Sequence, residues 1–169
     1  MRAAAAEPGE VWVRGRIVRS KLKRHVGVLN VSRETRAWIE SAFVKLAPRL
    51  ANHFRRTLRD LEPVQFLRYR EGGRYPLHTD RVPGTRNRHV RRRKVSVVVF
   101  LSRPGPGGGR HLGGELVFPG AASRGARTKF AFAVQAEPGL LVAFEPEVEH
   151  EVLPVRQGTR FSLAAWYSG

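Results

Sequence analysis

A histidine and an aspartate separated by one residue, His78 and Asp80, are the pair in this sequence best suited to binding a metal ion. Residues two apart on an extended strand project from the same face, so an imidazole and a carboxylate can reach one ion. The chain has no cysteine, and any metal site must therefore use imidazole and carboxylate ligands. Taken alone, the triplet fits a metal half-site and an exposed polar loop equally well.

A third ligand has to come from a distant part of the chain, because one strand cannot surround an ion. His150 lies in VEHEVLPV, where apolar residues alternate as on a half-buried strand. A histidine hydrogen-bonded at a strand edge would explain it as well. Two imidazoles and one carboxylate on one side of an ion are the ligand set of non-haem Fe(II) oxygenases. The other histidines fall in a basic arm, a predicted helix and two loops: His25, His53, His89 and His111.

Arg160 opens the last predicted strand and is the candidate for binding an anionic co-substrate. A guanidinium can donate two parallel hydrogen bonds to a carboxylate, and burying it without a partner is costly. The two sheets of a sandwich stand about 10 Å apart, a gap that a dicarboxylate and an arginine side chain could bridge to the metal. The alternative is an arginine that ends a strand in solvent.

The elements that must position these residues fall into three segments of one predicted domain, residues 1–169. Residues 1–31 are predicted to form an N-terminal arm or edge strands, because apolar and basic side chains alternate over residues 10–31. Residues 32–62 predict two or three supporting helices, with Pro48 ending the first and opening the second. Residues 63–169 contain many short β-rich runs between Gly and Pro clusters. We therefore expect a mainly β sandwich or barrel with N-terminal helices.

Bulk composition narrows the class of protein. Apolar residues make up 41 %, which is typical of a folded chain. No apolar run approaches the roughly 18 residues that span a bilayer, and the start is too short for a secretory signal, so we expect a soluble cytoplasmic protein without a membrane partner. The net charge of +17 also allows a nucleic-acid-binding module with a non-catalytic metal site. The aromatic residues lie mostly inside apolar runs, which argues against that alternative.

Five segments, in order, resemble the 2-oxoglutarate- and Fe(II)-dependent dioxygenases, in their prolyl 4-hydroxylase-like branch. The segments are QFLRYREGGRYPLHTD, RKVSVVVFLS, GGELVF, GLLVAF and HEVLPVRQGTRFSLAAWY. The resemblance implies a double-stranded β-helix (jelly roll) with iron ligands at His78, Asp80 and His150. It also implies the cofactor Fe(II) and the co-substrates 2-oxoglutarate and O2, with ascorbate as a further candidate cofactor.

The same resemblance implies roles around the metal. Arg160 would pair with the distal carboxylate of 2-oxoglutarate, and Tyr69 would hydrogen-bond the co-substrate. Phe100 stands where many relatives carry a second tyrosine, so one hydroxyl contact is expected to be missing. Trp166 falls in the family's terminal W-Y step and is expected to line the substrate pocket. Packing in the core would explain Tyr69 and Trp166 equally well.

The branch includes enzymes that hydroxylate prolyl residues, so a C–H hydroxylase acting on proline in a protein or peptide is expected. A free amino acid or a small-molecule or peptide natural product is the alternative substrate. The segment 81–94 is rich in Arg, has no acidic residue and is expected to form a mobile loop. With Arg74 and Arg81 near its start, it could steer an acidic substrate to the site. The sequence carries no signal for an oligomeric state.

Overall fold

The computed structural model describes residues 10–13, 16–19, 24–82, 84–119 and 131–169, the first two ranges by their backbone alone. The rest of the predicted N-terminal arm lies outside the described residues. Within these ranges the elements are β1 (Glu10–Val13), β2 (Arg16–Arg19), β3 (Gly27–Val28), α1 (Arg33–Phe54), β4 (Asp60–Leu61), β5 (Gln65–Tyr69), β6 (Tyr75–His78), α2 (Arg88–Arg92), β7 (Arg93–Phe100), β8 (His111–Gly113), β9 (Leu116–Pro119), β10 (Ala131–Ala133), β11 (Leu141–Phe144), β12 (His150–Val152), β13 (Val155–Gly158) and β14 (Arg160–Ser168).

Two antiparallel sheets form the β core. The major sheet has the order β11-β7-β14-β5-β3, with β4 paired to the end of β14. The minor sheet has the order β10-β9-β12-β6. Strands β1 and β2 form a separate hairpin, and β8 pairs with β13. Strands distant in sequence lie side by side in both sheets, as expected for a double-stranded β-helix, and the predicted jelly-roll fold is confirmed.

Two apolar clusters hold these layers together. The first joins α1 to one face of the major sheet and includes Phe43, Val97 and Leu163. The second contains residues of both sheets, among them Phe100 and Leu116. Because burial of apolar area is the main favourable term in folding, the second cluster fixes the separation of the two sheets, between which the predicted site must lie.

The supporting helical layer is one helix rather than two. Ser32 caps α1, and its side-chain oxygen accepts a hydrogen bond from the Thr35 amide at 3.1 Å. The helix runs through Pro48 and ends at Phe54, and the next residue, Arg55, adopts a left-handed conformation with φ 51°. Phe43 and Leu50, on either side of the proline, are both buried against the major sheet. The prediction that Pro48 divides the segment was therefore wrong, because this packing outweighs the lost backbone hydrogen bond.

The basic segment 81–94 is more ordered than its composition predicted. It contains the short helix α2 and the first two residues of β7. The Asn87 side chain caps α2 by accepting hydrogen bonds from the amides of His89 and Val90 at 3.0 and 3.4 Å. The structure thus has a short capped helix within the segment for which we predicted a mobile loop. In the described part of the chain, neither helix is long and apolar enough to cross a membrane.

Candidate metal centre and co-substrate pocket

The minor sheet brings His78, Asp80 and His150 together. Strands β6 and β12 are paired with His78 directly opposite His150. The Nε2 atom of His78 lies 3.8 Å from one Asp80 carboxylate oxygen, and that of His150 lies 3.6 Å from the other. One ligand atom from each residue falls within 4.8 Å of the others. A single ion can therefore contact all three side chains from one side.

Both imidazoles are oriented by backbone carbonyl groups two residues earlier in the chain. The Nδ1 atom of His78 donates to the Pro76 carbonyl oxygen at 2.8 Å, and that of His150 donates to the Val148 carbonyl oxygen at 2.9 Å. Since Nδ1 carries the proton in both rings, both Nε2 atoms present a lone pair to the centre. Metal-binding histidines commonly have this arrangement, in which the second ring nitrogen fixes the tautomer.

A β-bulge in β6 sets the direction of His78. Between the pairs His150–His78 and Val152–Tyr75, β6 advances three residues while β12 advances two. Residues three apart on a regular strand face opposite sides, but here the rings of Tyr75 and His78 stack with centroids 3.7 Å apart. Pro76 lies within the bulge, where the lack of an N–H costs least. The bulge therefore places both rings in the site.

The electrostatics of the centre favour metal over protons. Burial, together with the neighbouring charge of His150, lowers the pKa of His78 to about 4. A neutral imidazole is the form that binds a metal. Two imidazoles and one carboxylate, with no thiolate, suit Fe(II) and leave open coordination positions for other ligands. The residues present therefore fit an iron centre, and we assign His78, Asp80 and His150 as its proposed ligands.

Arg160 is a buried guanidinium with unused donors. Only 1 % of its surface is exposed. Its Nη1 donates to the Ser162 hydroxyl oxygen at 2.9 Å, whereas Nε and Nη2 are buried without a hydrogen-bond partner in the described residues. Burial lowers the pKa of Arg160, and leaving such donors unpaired is costly. A carboxylate bound here would satisfy both atoms, so these donors suit the distal carboxylate of 2-oxoglutarate.

Aromatic rings line the pocket around Arg160. Its guanidinium carbon lies 4.9 Å from the Tyr69 ring and 5.2 Å from the Phe100 ring. Tyr69 is fully buried, and burial raises the pKa of its hydroxyl, which keeps it protonated. Tyr69 is opposite Arg160 in the β5–β14 register, so it is adjacent to the proposed co-substrate pocket. Phe100 places a ring without a hydroxyl on the other side.

Gly114 leaves the space that the Arg160 side chain needs. A Cβ atom on Gly114 would lie 2.8 Å from Cδ of Arg160 and 2.9 Å from a methyl carbon of Val155. The residue also has φ +75°, a conformation that side chains disfavour. The glycine pair before β9 therefore shapes the pocket as well as the turn.

A second guanidinium, which the sequence reasoning missed, supports Asp80. Arg93 donates from Nη1 to the Asp80 backbone oxygen at 3.0 Å and lies 4.0 Å from its carboxylate. Nε and Nη2 of Arg93 donate to the two carboxylate oxygens of Glu62 at 2.8 and 2.7 Å. The group also stacks on Trp166, 4.0 Å from the ring centroid. Glu62 precedes the jelly-roll segment, and no local spacing in the sequence links it to Asp80.

The remaining predicted substrate residues lie around this centre at different depths. Trp166 is buried in the cluster between the sheets, and its indole Nε1 has no hydrogen-bond partner in the described residues. Arg74 is exposed, directly before β6. Arg81, which is half-buried, pairs with Glu147. Trp166 is linked to the triad by Arg93, which contacts both Trp166 and Asp80. Arg81 is next to Asp80 in the chain. The role of each in substrate binding stays a prediction.

The other described histidines lie outside the triad. His53 packs edge-on against Phe54 in α1, and His89 is exposed on α2. His111 was expected in a loop but is buried in β8, where its Nδ1 donates to the Gly113 carbonyl oxygen at 2.9 Å. Its pairing with β13, which is distant in sequence, explains why a local composition of Gly, Pro and Arg predicted a loop there.

The chain matches the family model of the 2OG-Fe(II) oxygenase superfamily over residues 64–168, more than half of its length. It therefore belongs to that superfamily. The match begins directly before β5 and ends with β14, so it contains the triad and Arg160. The predicted membership of the 2-oxoglutarate- and Fe(II)-dependent oxygenases is therefore confirmed.

Individual relatives agree with this placement. Two PKHD-type hydroxylases, from Synechococcus elongatus and another Synechococcus strain, are each 33 % identical over 102 residues, which is 60 % of this chain and 40 % of theirs. The chain therefore spans about two fifths of the length of these curated relatives. A prolyl-4-hydroxylase structure from Pseudomonas putida is 27 % identical with a TM-score of 0.64, covering 86 % of this chain and 72 % of that one.

A second solved structure supports the fold alone. The viral collagen prolyl hydroxylase of Paramecium bursaria Chlorella virus-1, solved with 2-oxoglutarate, has a TM-score of 0.56 at 22 % identity. It covers 88 % of this chain, and the chain covers 82 % of it. The predicted resemblance to the prolyl 4-hydroxylase-like branch is confirmed by these comparisons together.

Proposed function

We propose that this protein is a 2-oxoglutarate-dependent hydroxylase that oxidises a C–H bond of proline in a protein or peptide. The observation that carries the proposal is that the described residues contain both a cluster that could hold a metal ion, His78, Asp80 and His150, and a buried guanidinium with two unpaired nitrogen atoms, that of Arg160. A metal triad alone would fit several chemistries. A dicarboxylate co-substrate bound to the metal at one end also requires a cation for its other carboxylate, and the buried Arg160 guanidinium has two unpaired nitrogen atoms for that purpose.

Iron, when bound with O2 and 2-oxoglutarate, supplies the oxidation: one oxygen atom enters the substrate C–H bond, and the other enters succinate as CO2 is lost. The chain supplies position and exclusion of water. Arg160 orients the co-substrate from its distal end, while Arg93 holds the backbone of Asp80. Trp166 and Phe100 line an apolar interior in which a reactive centre is shielded from solvent.

Proline as the target is supported by the similarity to the Pseudomonas putida prolyl-4-hydroxylase, at 27 % identity. The Synechococcus relatives are described more broadly as PKHD-type hydroxylases. The positive charge of the segment after Asp80 supports a target with acidic residues around it.

A basic loop begins and ends at the proposed metal centre. We call residues 81–92 the rim loop. It starts directly after Asp80, and Arg93, directly after it, bonds to the Asp80 carbonyl oxygen. One end of the rim loop therefore adjoins a proposed iron ligand, and the other adjoins a residue whose side chain contacts that ligand. We infer that part of the charge of the loop lies beside the proposed entrance.

Part of that charge is available to a partner. Two rim-loop arginines are engaged by acids, Arg81 by Glu147 and Arg92 by Asp60. The loop has three further arginines that are exposed and have no ion pair among the described residues: Arg86, Arg88 and Arg91. A protein or peptide substrate with Asp or Glu near its proline would be attracted to this surface.

The first test separates the metal centre from the fold. Asp80→Ala should lower Fe(II)-dependent succinate formation by about 100-fold or more, because one of three ligands is lost. Asp60→Ala is the matched control, since Asp60 is the other aspartate of the chain and forms an exposed ion pair with Arg92. Titration of each variant with Fe(II) and 2-oxoglutarate under nitrogen should show weaker Fe(II) binding in Asp80→Ala than in Asp60→Ala. Unchanged activity in Asp80→Ala would disprove the ligand assignment.

The second test addresses co-substrate and target. Arg160→Gln should raise the KM for 2-oxoglutarate by about 100-fold while Fe(II) affinity stays the same. Mass spectrometry of host lysate treated with active enzyme, and with Asp80→Ala, should reveal a gain of one oxygen on proline in the first sample only. Oxygen added to another residue type, or to a small molecule, would replace proline as the proposed target.

A further inference from the structure

A guanidinium from outside the matched family segment lies over the same site. Arg24 comes from the segment that precedes β3, and its guanidinium carbon lies 4.2 Å from the centroid of the Tyr75 ring. Tyr75 in turn stacks on His78, a proposed iron ligand, at 3.7 Å. Three groups, a cation, a phenol ring and an imidazole, are thus in consecutive contact at the edge of the metal centre.

The backbone holds Arg24 in this place. The next residue, His25, exchanges two hydrogen bonds with Arg74, each 3.0 Å long, directly before Tyr75 in β6. Gly73 permits this approach, since a Cβ there would lie 3.0 Å from the His25 carbonyl oxygen and 2.5 Å from that of Arg70. The cation is therefore anchored next to β6 rather than carried on a free arm.

Arg24 presents a donor atom to the interior of the site. Among the described residues the Nε atom of Arg24 has no hydrogen-bond partner and is buried, and the residue as a whole is partly exposed. Arg24 therefore borders both the interior of the site and the solvent.

The balance of charge indicates which anion belongs there. A divalent iron, the Asp80 carboxylate, a dianionic co-substrate and Arg160 sum to zero, and Arg93 is compensated by Glu62. The loaded centre is thus neutral, and Arg24 adds a net positive charge beside it. Because Arg160 is matched to the distal carboxylate of the co-substrate, the anion left for Arg24 is one that arrives from solvent with the substrate.

We propose that Arg24 is a specificity-determining residue that binds a carboxylate of the substrate, close to the carbon that is oxidised. The proposal rests on the proposed function and deepens it, since it selects targets with Asp, Glu or a free carboxylate near the reacting residue. The rim loop attracts anionic partners from a distance, whereas Arg24 recognises one carboxylate in contact. The stack on Tyr75 fixes the plane of the guanidinium and so its donor directions.

The test measures binding rather than turnover, so that it is independent of whether proline is hydroxylated. The probes are two capped decapeptides with one central proline, flanked by Glu in one and by Gln in the other. Each is titrated calorimetrically, under nitrogen, into full-length protein loaded with Fe(II) and 2-oxoglutarate. The variants are Arg24→Gln, Arg24→Lys and, as a control, Arg49→Gln, which removes an exposed arginine from α1 on the far side of the major sheet.

We expect the unmodified protein to bind the Glu peptide about tenfold more tightly than the Gln peptide. Arg24→Gln should abolish this preference and leave the Gln peptide within about twofold, Arg24→Lys should retain part of it, and Arg49→Gln should retain nearly all of it. The proposal is overturned by equal weakening of both peptides, by equal loss in Arg49→Gln, by a fall in 2-oxoglutarate affinity instead, or by no preference in the unmodified protein. Failure of the proposed function would appear separately, as an absence of peptide oxidation when O2 is admitted.

Discussion

At the scale of single residues, the two proposed histidine ligands are oriented before any metal arrives. Each donates through Nδ1 to the carbonyl oxygen of the residue two positions earlier in the chain, so the backbone sets the tautomer of both rings. Preorganisation of this kind reduces the cost of ordering ligands at the moment of binding. The metal-free protein is instead destabilised, because two imidazoles are buried beside each other in the folded state.

This burial makes the stability of the metal-free protein depend on pH. The folded-state pKa of His78 is about 4, below the ordinary value near 6.5. Between these values the unfolded chain binds a proton that the folded chain does not, so stability falls as the pH drops from about 6.5 to 4, by on the order of 3 kcal/mol. Urea unfolding of metal-free protein across this range should show the fall. His78→Gln should flatten it, and His89→Gln, at an exposed position, should not.

The absence of a side chain at Gly114 makes room for the side chains of Arg160 and Val155. In Gly114→Ala the new methyl group would press on Arg160 and Val155, and the positive φ adds strain. We expect about a tenfold or greater loss of 2-oxoglutarate affinity together with lower stability. Gly139→Ala is the matched control, because Gly139 has φ +88° and open space around it. It should lose stability through the same backbone strain while 2-oxoglutarate affinity stays the same.

At the scale of elements, local pattern predicted the strands well and the helical layer less well. The short apolar runs between Gly and Pro clusters identified the strands of both sheets, because alternation and turn chemistry are local properties. The predicted helix end at Pro48 was wrong because the effect of a proline on a helix depends on what the helix packs against. The predicted loop at His111 was wrong because β8 forms by pairing with β13, which is distant in sequence. Glu62 and Arg93 were missed for the same reason: their contact depends on the tertiary fold.

The uninterrupted helix leads to a direct prediction. Pro48 is exposed on α1 and denies the helix one backbone hydrogen bond, so Pro48→Ala should restore the bond without leaving a cavity. We expect stability to rise by about 1–3 kcal/mol, with the lower figure reflecting the greater freedom of the unfolded chain. Urea unfolding at pH 7.5 would measure it. A loss of stability would mean that the proline ring itself stabilises the helix against the sheet.

At the scale of the whole molecule, the net charge of +17 has to be reconciled with an iron enzyme. The rim loop concentrates part of that charge at the proposed entrance, which favours association with anionic segments. Such attraction is screened beyond about 8 Å at physiological ionic strength. The effect should therefore appear in how fast substrate is captured more than in the chemical step.

For an acidic proline peptide we expect kcat/KM to fall by roughly tenfold between 50 and 500 mM NaCl, while an uncharged peptide changes little. Replacing Arg86, Arg88 and Arg91 together with Gln should remove most of this salt dependence. Duplex DNA at equal charge concentration should compete weakly. Strong competition with a steep salt slope would instead support the nucleic-acid alternative.

The bulge in β6 has a further consequence for how related sequences can differ. The single extra residue between Tyr75 and His78 keeps the tyrosine, the first proposed iron ligand and the Arg24 stack on one side of the strand. Losing or gaining one residue there would turn one of these groups to the outer face, whereas the rim loop, anchored at both ends, can change length without moving the ligands. Functional homologues should therefore tolerate insertions and deletions after Asp80 and almost none in the few residues before it.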